Sequence, residues 1–337
     1  MIKENVSLKP YNTFGIDAQC RYFFEINSTN DFLTLLNDPV YISNKKLVIG
    51  GGSNLLFTKD FEGLVLKNNI KGIHIIFADD KDVIIKSGAG EDWHELVLFC
   101  IGNNMSGLEN LSLIPGCVGA SPMQNIGAYG VEVKEMFESL EAYSLTSGEK
   151  KIFNREDCNF GYRESVFKNK YKGQFLITSV SFRLKKHAVL NTSYGAINNE
   201  LAAMGIVSPT IKDVSAAVIQ IRKSKLPDPR ETGNAGSFFK NPEVPEKKYI
   251  DLKVVFPDLV AYPLANGYYK LAAGWLIEQS GLKGFEMNGA AVHFKQALVL
   301  INKRNASGKA VFELSEHVMK TVLDKFDVVL EREVNII

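Results

Sequence analysis

Residues 106–130, SGLENLSLIPGCVGASPMQNIGAYG, constrain the fold more than any other part of the 337-residue chain. Glycine and proline recur too often there for one regular helix or strand. Yet Glu109 is the only charged residue, while Leu108, Leu111, Leu113, Ile114, Val118, Met123 and Ile126 are apolar. Irregular backbone this apolar belongs inside the molecule, where its N–H and C=O groups need partners. It is either a glycine-rich crossover packed against other protein or a loop whose partners include a bound ligand.

A second glycine cluster bears on that choice. Residues 47–57 read LVIGGGSNLLF, two apolar strand-like runs around Gly50, Gly51, Gly52, Ser53 and Asn54. Glycines between strands let backbone approach an anion closely, and successive N–H groups there form a nest suited to a diphosphate. The dinucleotide fingerprint is incomplete, because Leu55 stands where its third glycine belongs, and the chain has no GxxxxGK[ST]. Alone, GGGSN reads equally as a tight hairpin; two apolar glycine clusters together point to a nucleotide cofactor wrapped by loops.

A chain of this length exceeds one typical core, so two or three domains are expected. With 39 Lys and Arg against 38 Asp and Glu, the net charge is +1 and no block of like charge stands out. That gives no electrostatic argument for nucleic acid or a membrane surface, and leaves room for a local basic pocket that takes an anionic substrate. The opening MIKENVSLKP lacks the apolar core of a signal peptide, and no apolar run approaches the roughly 18 residues that span a bilayer, so a soluble cytoplasmic protein is expected. Cys20, Cys100, Cys117 and Cys158 have no CxxC spacing and read as buried free thiols. His74, His94, His187, His293 and His317 are scattered without an HExxH, so no metal site is expected.

Periodicity sets the elements. A helix is expected near 30–37 and strands at 83–89, 139–153 and 174–184. Glu91 and Asp92 open a helix whose Trp93, Leu96, Val97, Cys100 and Ile101 recur at helical spacing until Gly102 and Asn103. Another is capped by Ser208, with Pro209 as its first residue, and ends before Pro227 and Pro229. The segment KLPDPRETGNAG is the clearest linker. Beyond it, helices are expected at 270–279 and 309–326 around the strand QALVLIN, and the last ten residues alternate as a strand.

The pairing of IGGGSNLLF with GLENLSLIPGCVGASPMQNIGAYG resembles the UDP-N-acetylenolpyruvoylglucosamine reductase family of flavoenzymes. The resemblance continues, in order, through NFGYRES, SKLPDP, GNAGSFFKNP, KLAAGWLIEQ, AAVH, QALVLIN and LEREV, nearly the whole chain. It implies an α+β protein: a two-lobed flavin domain of the PCMH-type, vanillyl-alcohol-oxidase-like class and a smaller α+β substrate domain. The first lobe would take residues 1–68 with 327–337, the second 69–222, and the substrate domain 223–326. It also implies reduction of UDP-N-acetylglucosamine enolpyruvate to UDP-N-acetylmuramate in peptidoglycan precursor synthesis, with non-covalent FAD as cofactor and NADPH as co-substrate, by a monomer.

Carried over residue by residue, the resemblance makes Arg163 the cation that stabilises the substrate carboxylate, Ser237 the proton donor and Glu333 the residue that supports the enolate or proton delivery. FAD would lie against Gly50, Gly51, Gly52, Ser53 and Asn54, and against Pro115, Gly116, Gly119, Ala120, Ser121, Gln124, Asn125, Gly127, Ala128 and Tyr129. Lys225, Asn241, Tyr262, Lys270 and Gln296 would contact the nucleotide-sugar, with Tyr194 folding over it as in one subgroup of the family. One departure bears on Glu333: relatives commonly carry Arg after the Glu-Val pair and continue, whereas here Asn335 follows and the sequence stops at Ile337. Two other readings fit the glycine clusters: a different flavin oxidoreductase, some of which attach FAD through His or Cys, and a non-catalytic module that binds flavin or a nucleotide-sugar.

Overall fold

The two apolar runs around GGGSN become the strands Lys46–Ile49 and Leu55–Leu56 in the computed structural model, which describes residues 1–337. Met1–Val6, Cys20–Gly52 and Glu62–Ser224 form one compact unit; Ser7–Gln19, Ser53–Phe61 and Lys225–Ile337 form a second.

The first unit centres on an antiparallel five-stranded sheet in the order Lys150–Asn154, Phe137–Ser144, Phe175–Lys185, Asp82–Gly88, Ile73–Ala78. The single strand expected at 139–153 is thus a hairpin, whose turn includes Gly148 at φ +71°. A four-stranded sheet runs Lys3–Ser7, Gln19–Ile26, Phe61–Asn68, Lys46–Ile49, with the last two parallel. The helix Thr29–Leu35 covers it, and Phe32 and Leu35 pack on Ile26, Leu64 and Leu66.

The helix expected after Glu91 is Trp93–Gly102, and Asp92 alone is its cap, accepting from the N–H groups of His94 at 2.8 Å and Glu95 at 3.1 Å. Glu91 stays outside the helix, where its carboxylate accepts from Gly72 N at 2.7 Å. Trp93, Leu96, Val97, Cys100 and Ile101 are buried, as their spacing required, and join one core with Phe137, Val180 and Phe182.

The next long helix starts later than its sequence signal, at Ile211. Thr210 takes the capping role instead of Ser208: its N–H donates to Asp213 Oδ2 at 2.8 Å, while Asp213 N–H reaches back to Thr210 Oγ1 at 3.4 Å. The NTSYG turn leads into a helix absent from the sequence reading, Gly195–Ala203, whose Ile197 and Leu201 pack on Val214, Val218 and Ile221.

In the second unit, the strands Gly233–Ser237, Val299–Asn302, Ala290–Val292 and Glu286–Met287 form an antiparallel sheet in that order, against which the helix Gly308–Phe326 packs. Phe326 closes on the rings of Phe256, 4.8 Å away, and Trp275, 5.8 Å away. The helix expected over 270–279 begins only at Ala273; Lys270 belongs to the preceding strand, Tyr268–Leu271.

The final segment is a regular strand only at Asn335–Ile336, which pairs in parallel with Leu55–Leu56. Upstream it is laced to 238–240 by Glu333 N to Phe238 O at 2.8 Å and Lys240 N to Glu331 O at 2.9 Å; at the end, Thr58 N–H donates to Ile337 O at 2.9 Å. Glu333 is therefore held on both sides. All four cysteines are buried thiols, and no helix is long and apolar enough to cross a membrane.

Candidate active site

Most of the central stretch is buried as its composition demanded, although Met123 is 41 % exposed and Leu113, Ile114 and Ile126 are half-buried, and its backbone is satisfied piecemeal. Leu108, Leu111, Val118, Ser121 and Asn125 are almost inaccessible. Trp93 Nε1–H donates to Leu111 O at 2.9 Å, and Trp93 N–H to Gly116 O at 2.9 Å, so one residue of the capped helix anchors two points of the loop. Glu109, its one charge, is 2 % exposed and accepts from Gly107 N at 2.6 Å and Ser106 Oγ at 3.2 Å. Four bulky or polar residues take left-handed backbone in this region: Leu113 (φ +59°), Asn125 (+46°), Tyr129 (+50°) and Arg163 (+52°). Such conformations cost about 1–3 kcal/mol each and persist where surrounding structure imposes them, often at functional sites.

His94 holds one of them. Its Nδ1 accepts from Leu113 N–H at 3.0 Å, which requires a neutral ring at that nitrogen. Burial pushes His94 below its ordinary value of 6.5, with Arg222 and Lys223 acting in the same direction and Asp92 and Glu95 opposing. The unfolded chain therefore takes up this proton before the folded protein does. The stabilisation is complete above about pH 6.5 and is lost as the pH falls toward the lower folded value. We expect thermal stability to decline below that pH more steeply in the native protein than in His94→Asn, whose amide oxygen accepts without titrating; equal slopes in calorimetric scans from about pH 7.5 to 5 would discount the histidine.

The two glycine clusters meet in the first unit. A Cβ on Gly51 would stand 2.9 Å from Gly116 Cα, and one on Gly50 3.2 Å from Cys117 Cβ, so glycine is what allows the two loops to touch. Gly52 is left-handed at φ +65°. Lys67 Nζ donates to Gly50 O at 3.0 Å and places a cation at this junction. Farther along, Gly119, Ala120 and Ser121 donate their amides to Ala89 O, Cys117 O and Val118 O, so those three amides are engaged within the protein. Pro115 is exposed and Gln124 half-buried.

Whether a flavin dinucleotide fits can be tested on Ser121. Its side chain is 1 % exposed and its Oγ has no hydrogen-bond partner within the protein. A buried hydroxyl in that state costs free energy that a ligand oxygen would recover. That hydroxyl, the glycine junction and the Lys67 cation are groups of the kind an anionic dinucleotide takes. Cys117 does not suit a covalent link: burial raises its thiol above the ordinary 9.0 in spite of Lys67 and Lys71 nearby, and leaves it un-ionised.

Gly127–Ala128 and Val131–Glu132 pair as a hairpin, with Tyr129 and Gly130, at φ +81°, in its turn. Arg163 docks on it: Nη2 donates to Gly127 O at 2.6 Å, and Nη1 would lie 2.9 Å from any Cβ at Gly127. The guanidinium also lies 5.3 Å from the centre of the Tyr162 ring. Tyr194, exposed and at the start of Gly195–Ala203, meets the Tyr129 ring edge-on at 5.4 Å. Tyr129 in turn hydrogen-bonds Arg222, whose Nε also donates to Leu113 O at 3.1 Å; burial lowers the Arg222 pKa and raises that of Tyr129. Arg222 was not among the expected residues, and its place on an amphipathic helix gave no signal of this contact.

In the second unit, Ser237 ends its strand exposed, opposite Val299. Glu333 donates its N–H to the carbonyl of Phe238, the next residue, so backbone sets the offset between Ser237 and Glu333. Asn54 Nδ2 donates to Glu333 O at 3.2 Å, and Asn335 Nδ2 to Asn54 O at 3.1 Å. Asn54 thereby fastens the Glu333 segment, a role the sequence did not suggest; Ser53 beside it is half-buried.

Of the expected nucleotide-sugar residues, Tyr262 and Lys270 are direct partners across adjacent strands, and Glu243 flanks Lys270 on its other side with a 3.9 Å ion pair. They form one row on one sheet face. Asn241 Oδ1 accepts from Ala273 N at 2.9 Å and so starts the helix Ala273–Gln279. Gln296 Oε1 would be 3.1 Å from a Cβ at Gly274 in that first turn. Lys225 is exposed at its helix end.

Residues 23–150 match the model of an FAD binding domain, and residues 228–337 match the model of the C-terminal domain of UDP-N-acetylenolpyruvoylglucosamine reductase. The chain is 50% identical to the UDP-N-acetylenolpyruvoylglucosamine reductase of Flavobacterium johnsoniae, over 100% of this chain and 99% of that protein. It is also 50% identical to the same-named protein of Amoebophilus asiaticus, again over 100% and 99%. Its fold is similar to the crystal structure of UDP-N-acetylenolpyruvylglucosamine reductase from Thermus caldophilus, with a TM-score of 0.68 and 23% identity over 100% of this chain and 99% of that one.

Proposed function

We propose that this chain, which belongs to the UDP-N-acetylenolpyruvoylglucosamine reductase family, reduces UDP-N-acetylglucosamine enolpyruvate to UDP-N-acetylmuramate with NADPH as reductant and FAD as cofactor. The observation that carries the reading is Arg163 seated at 2.6 Å on Gly127, beside the residues that match an FAD binding domain. A fixed, fork-shaped cation at the edge of a cofactor site is what an enolpyruvyl carboxylate requires.

When bound, FAD would supply the hydride chemistry that links NADPH to the substrate. The two glycine loops and Ser121 Oγ would hold it, without a covalent link. Arg163 takes the substrate carboxylate, into which negative charge spreads as the vinyl carbon gains its hydride. Ser237 Oγ–H delivers the proton to the neighbouring carbon, and Glu333 steadies that charge or resupplies the proton. Tyr262 and Lys270, with Lys225, Asn241 and Gln296, take the nucleotide-sugar, and Tyr194 closes over it. Residues 1–222 with 327–337 serve the flavin and 223–326 the nucleotide-sugar. The protein works as a cytoplasmic monomer on small molecules in cell-wall precursor synthesis, consistent with a net charge of +1 that offers no field for nucleic acid or membrane.

The test is anaerobic. NADPH should bleach the yellow protein, and addition of UDP-N-acetylglucosamine enolpyruvate should restore the oxidised spectrum with formation of UDP-N-acetylmuramate. Bleaching without recovery would assign the protein to another acceptor, and a protein that binds no added FAD would refute the reading at its first step.

A further inference from the structure

We propose that Asn125 is the positioning residue for Arg163, fixing the turn from which the guanidinium reaches the site; this rests on the role given to Arg163 above. Asn125 is fully buried, and its amide is engaged on both sides. Nδ2 donates to Gly161 O at 2.9 Å and to Glu132 Oε2 at 3.1 Å, while Oδ1 accepts from Lys134 N–H at 3.0 Å. These partners admit one amide orientation, since the oxygen faces a donor and the nitrogen two acceptors.

Gly161 is the base of the turn that carries Arg163. Gly161 and Glu164 exchange backbone hydrogen bonds of 3.0 and 3.3 Å, enclosing Tyr162 and Arg163 between them. Asn125 therefore grips this turn by its backbone, and Gly127, two residues farther on, grips the head of the same arginine through its carbonyl at 2.6 Å. One short piece of the central stretch sets both where the Arg163 turn starts and where its guanidinium ends. Glu132 keeps the amide in register: it pairs with Lys134 Nζ at 2.6 Å, and its own N–H is held by Glu135 at 2.6 Å. With both amide hydrogens and the oxygen engaged by protein, this side chain serves the arginine rather than the flavin.

Asn125→Asp is the sharpest test, because it keeps size and tolerance of the left-handed backbone at φ +46° while turning two donors into acceptors that face Gly161 O and a carboxylate. In stopped-flow half-reactions, reoxidation by the enolpyruvyl substrate should fall about 10- to 100-fold more than reduction by NADPH, the cost of displacing a reacting group by roughly 1 Å. Adding Glu132→Gln returns a donor to the aspartate and should recover part of that loss. Combining Asn125→Asp with Arg163→Lys should be no slower than Arg163→Lys alone, because both act through one contact. If the aspartate variant fails to fold, Asn125→Gly, which accepts positive φ without strain, should show the same split between half-reactions. Wild-type reoxidation in both variants, or loss of melting temperature with the half-reactions unmoved, overturns the proposal. So does equal slowing of both half-reactions with a shifted flavin spectrum, which would make Asn125 a cofactor contact. Failure of the unaltered protein to be reoxidised would instead defeat the functional reading, and appears in a separate control.

Discussion

Ser237→Ala is expected to leave bleaching by NADPH intact and to slow recovery of the oxidised spectrum by about 10²- to 10⁴-fold, the usual contribution of a positioned proton donor. Only the second half-reaction forms a carbon that needs a proton, so the two halves must separate. The site favours a clean result. Ser237 ends a strand and is exposed, with Val299 opposite it, and Phe238 carries the backbone link to Glu333. Removing one exposed hydroxyl opens no cavity and breaks none of those backbone bonds. Solvent deuterium should slow reoxidation in the native protein and lose part of that effect in the variant. An unimpaired second half-reaction would take Ser237 out of the mechanism.

What was legible in the sequence follows from where the signal lives. The stretch 106–130 announced itself because apolar composition and helix-breaking residues contradict each other locally, and of its apolar residues Met123 alone is exposed. The helix Trp93–Gly102 was legible because its buried positions recur at helical spacing and a capping Asp precedes them. Gly195–Ala203 was not: it presents only Ile197 and Leu201 to a core and contains Gly195, Asn198 and Asn199, poor helix formers that tertiary packing overrides. Nor was Glu246–Val255, which buries Leu252 and leaves Ile250, Val254 and Val255 exposed.

The site was legible as a set of residues and hardly at all as a geometry. Arg163 reaches Gly127 across 36 positions, and Asn54 reaches Glu333 across 279. No periodicity encodes such separations. His94 and Arg222 escaped for the same reason: each works through a partner remote in sequence, on a helix whose local pattern explains it fully without that role.

Arg163→Lys is expected to cost about 10²- to 10³-fold in reoxidation by the enolpyruvyl substrate, the range seen when one preorganised donor to developing charge is lost. Charge is conserved, and Lys and Arg bear the left-handed backbone at φ +52° similarly, so neither net electrostatics nor turn strain confounds the comparison. What changes is shape. The guanidinium sends Nη2 to Gly127 O at 2.6 Å and lies 5.3 Å from the Tyr162 ring centre, so one edge is fixed by protein while its other donors remain in a defined plane. An ammonium is a point donor on a flexible stem: if it bonds Gly127 O it has no second, coplanar donor for a carboxylate, and if it turns to the carboxylate it loses its anchor. NADPH reduction, which forms no carboxylate-stabilised charge, should stay near the native rate, and the apparent affinity for the enolpyruvyl substrate should weaken far less than the rate falls, because the interaction strengthens as charge develops. Reoxidation near the native rate would mean that Arg163 serves only to pin the Gly127 hairpin.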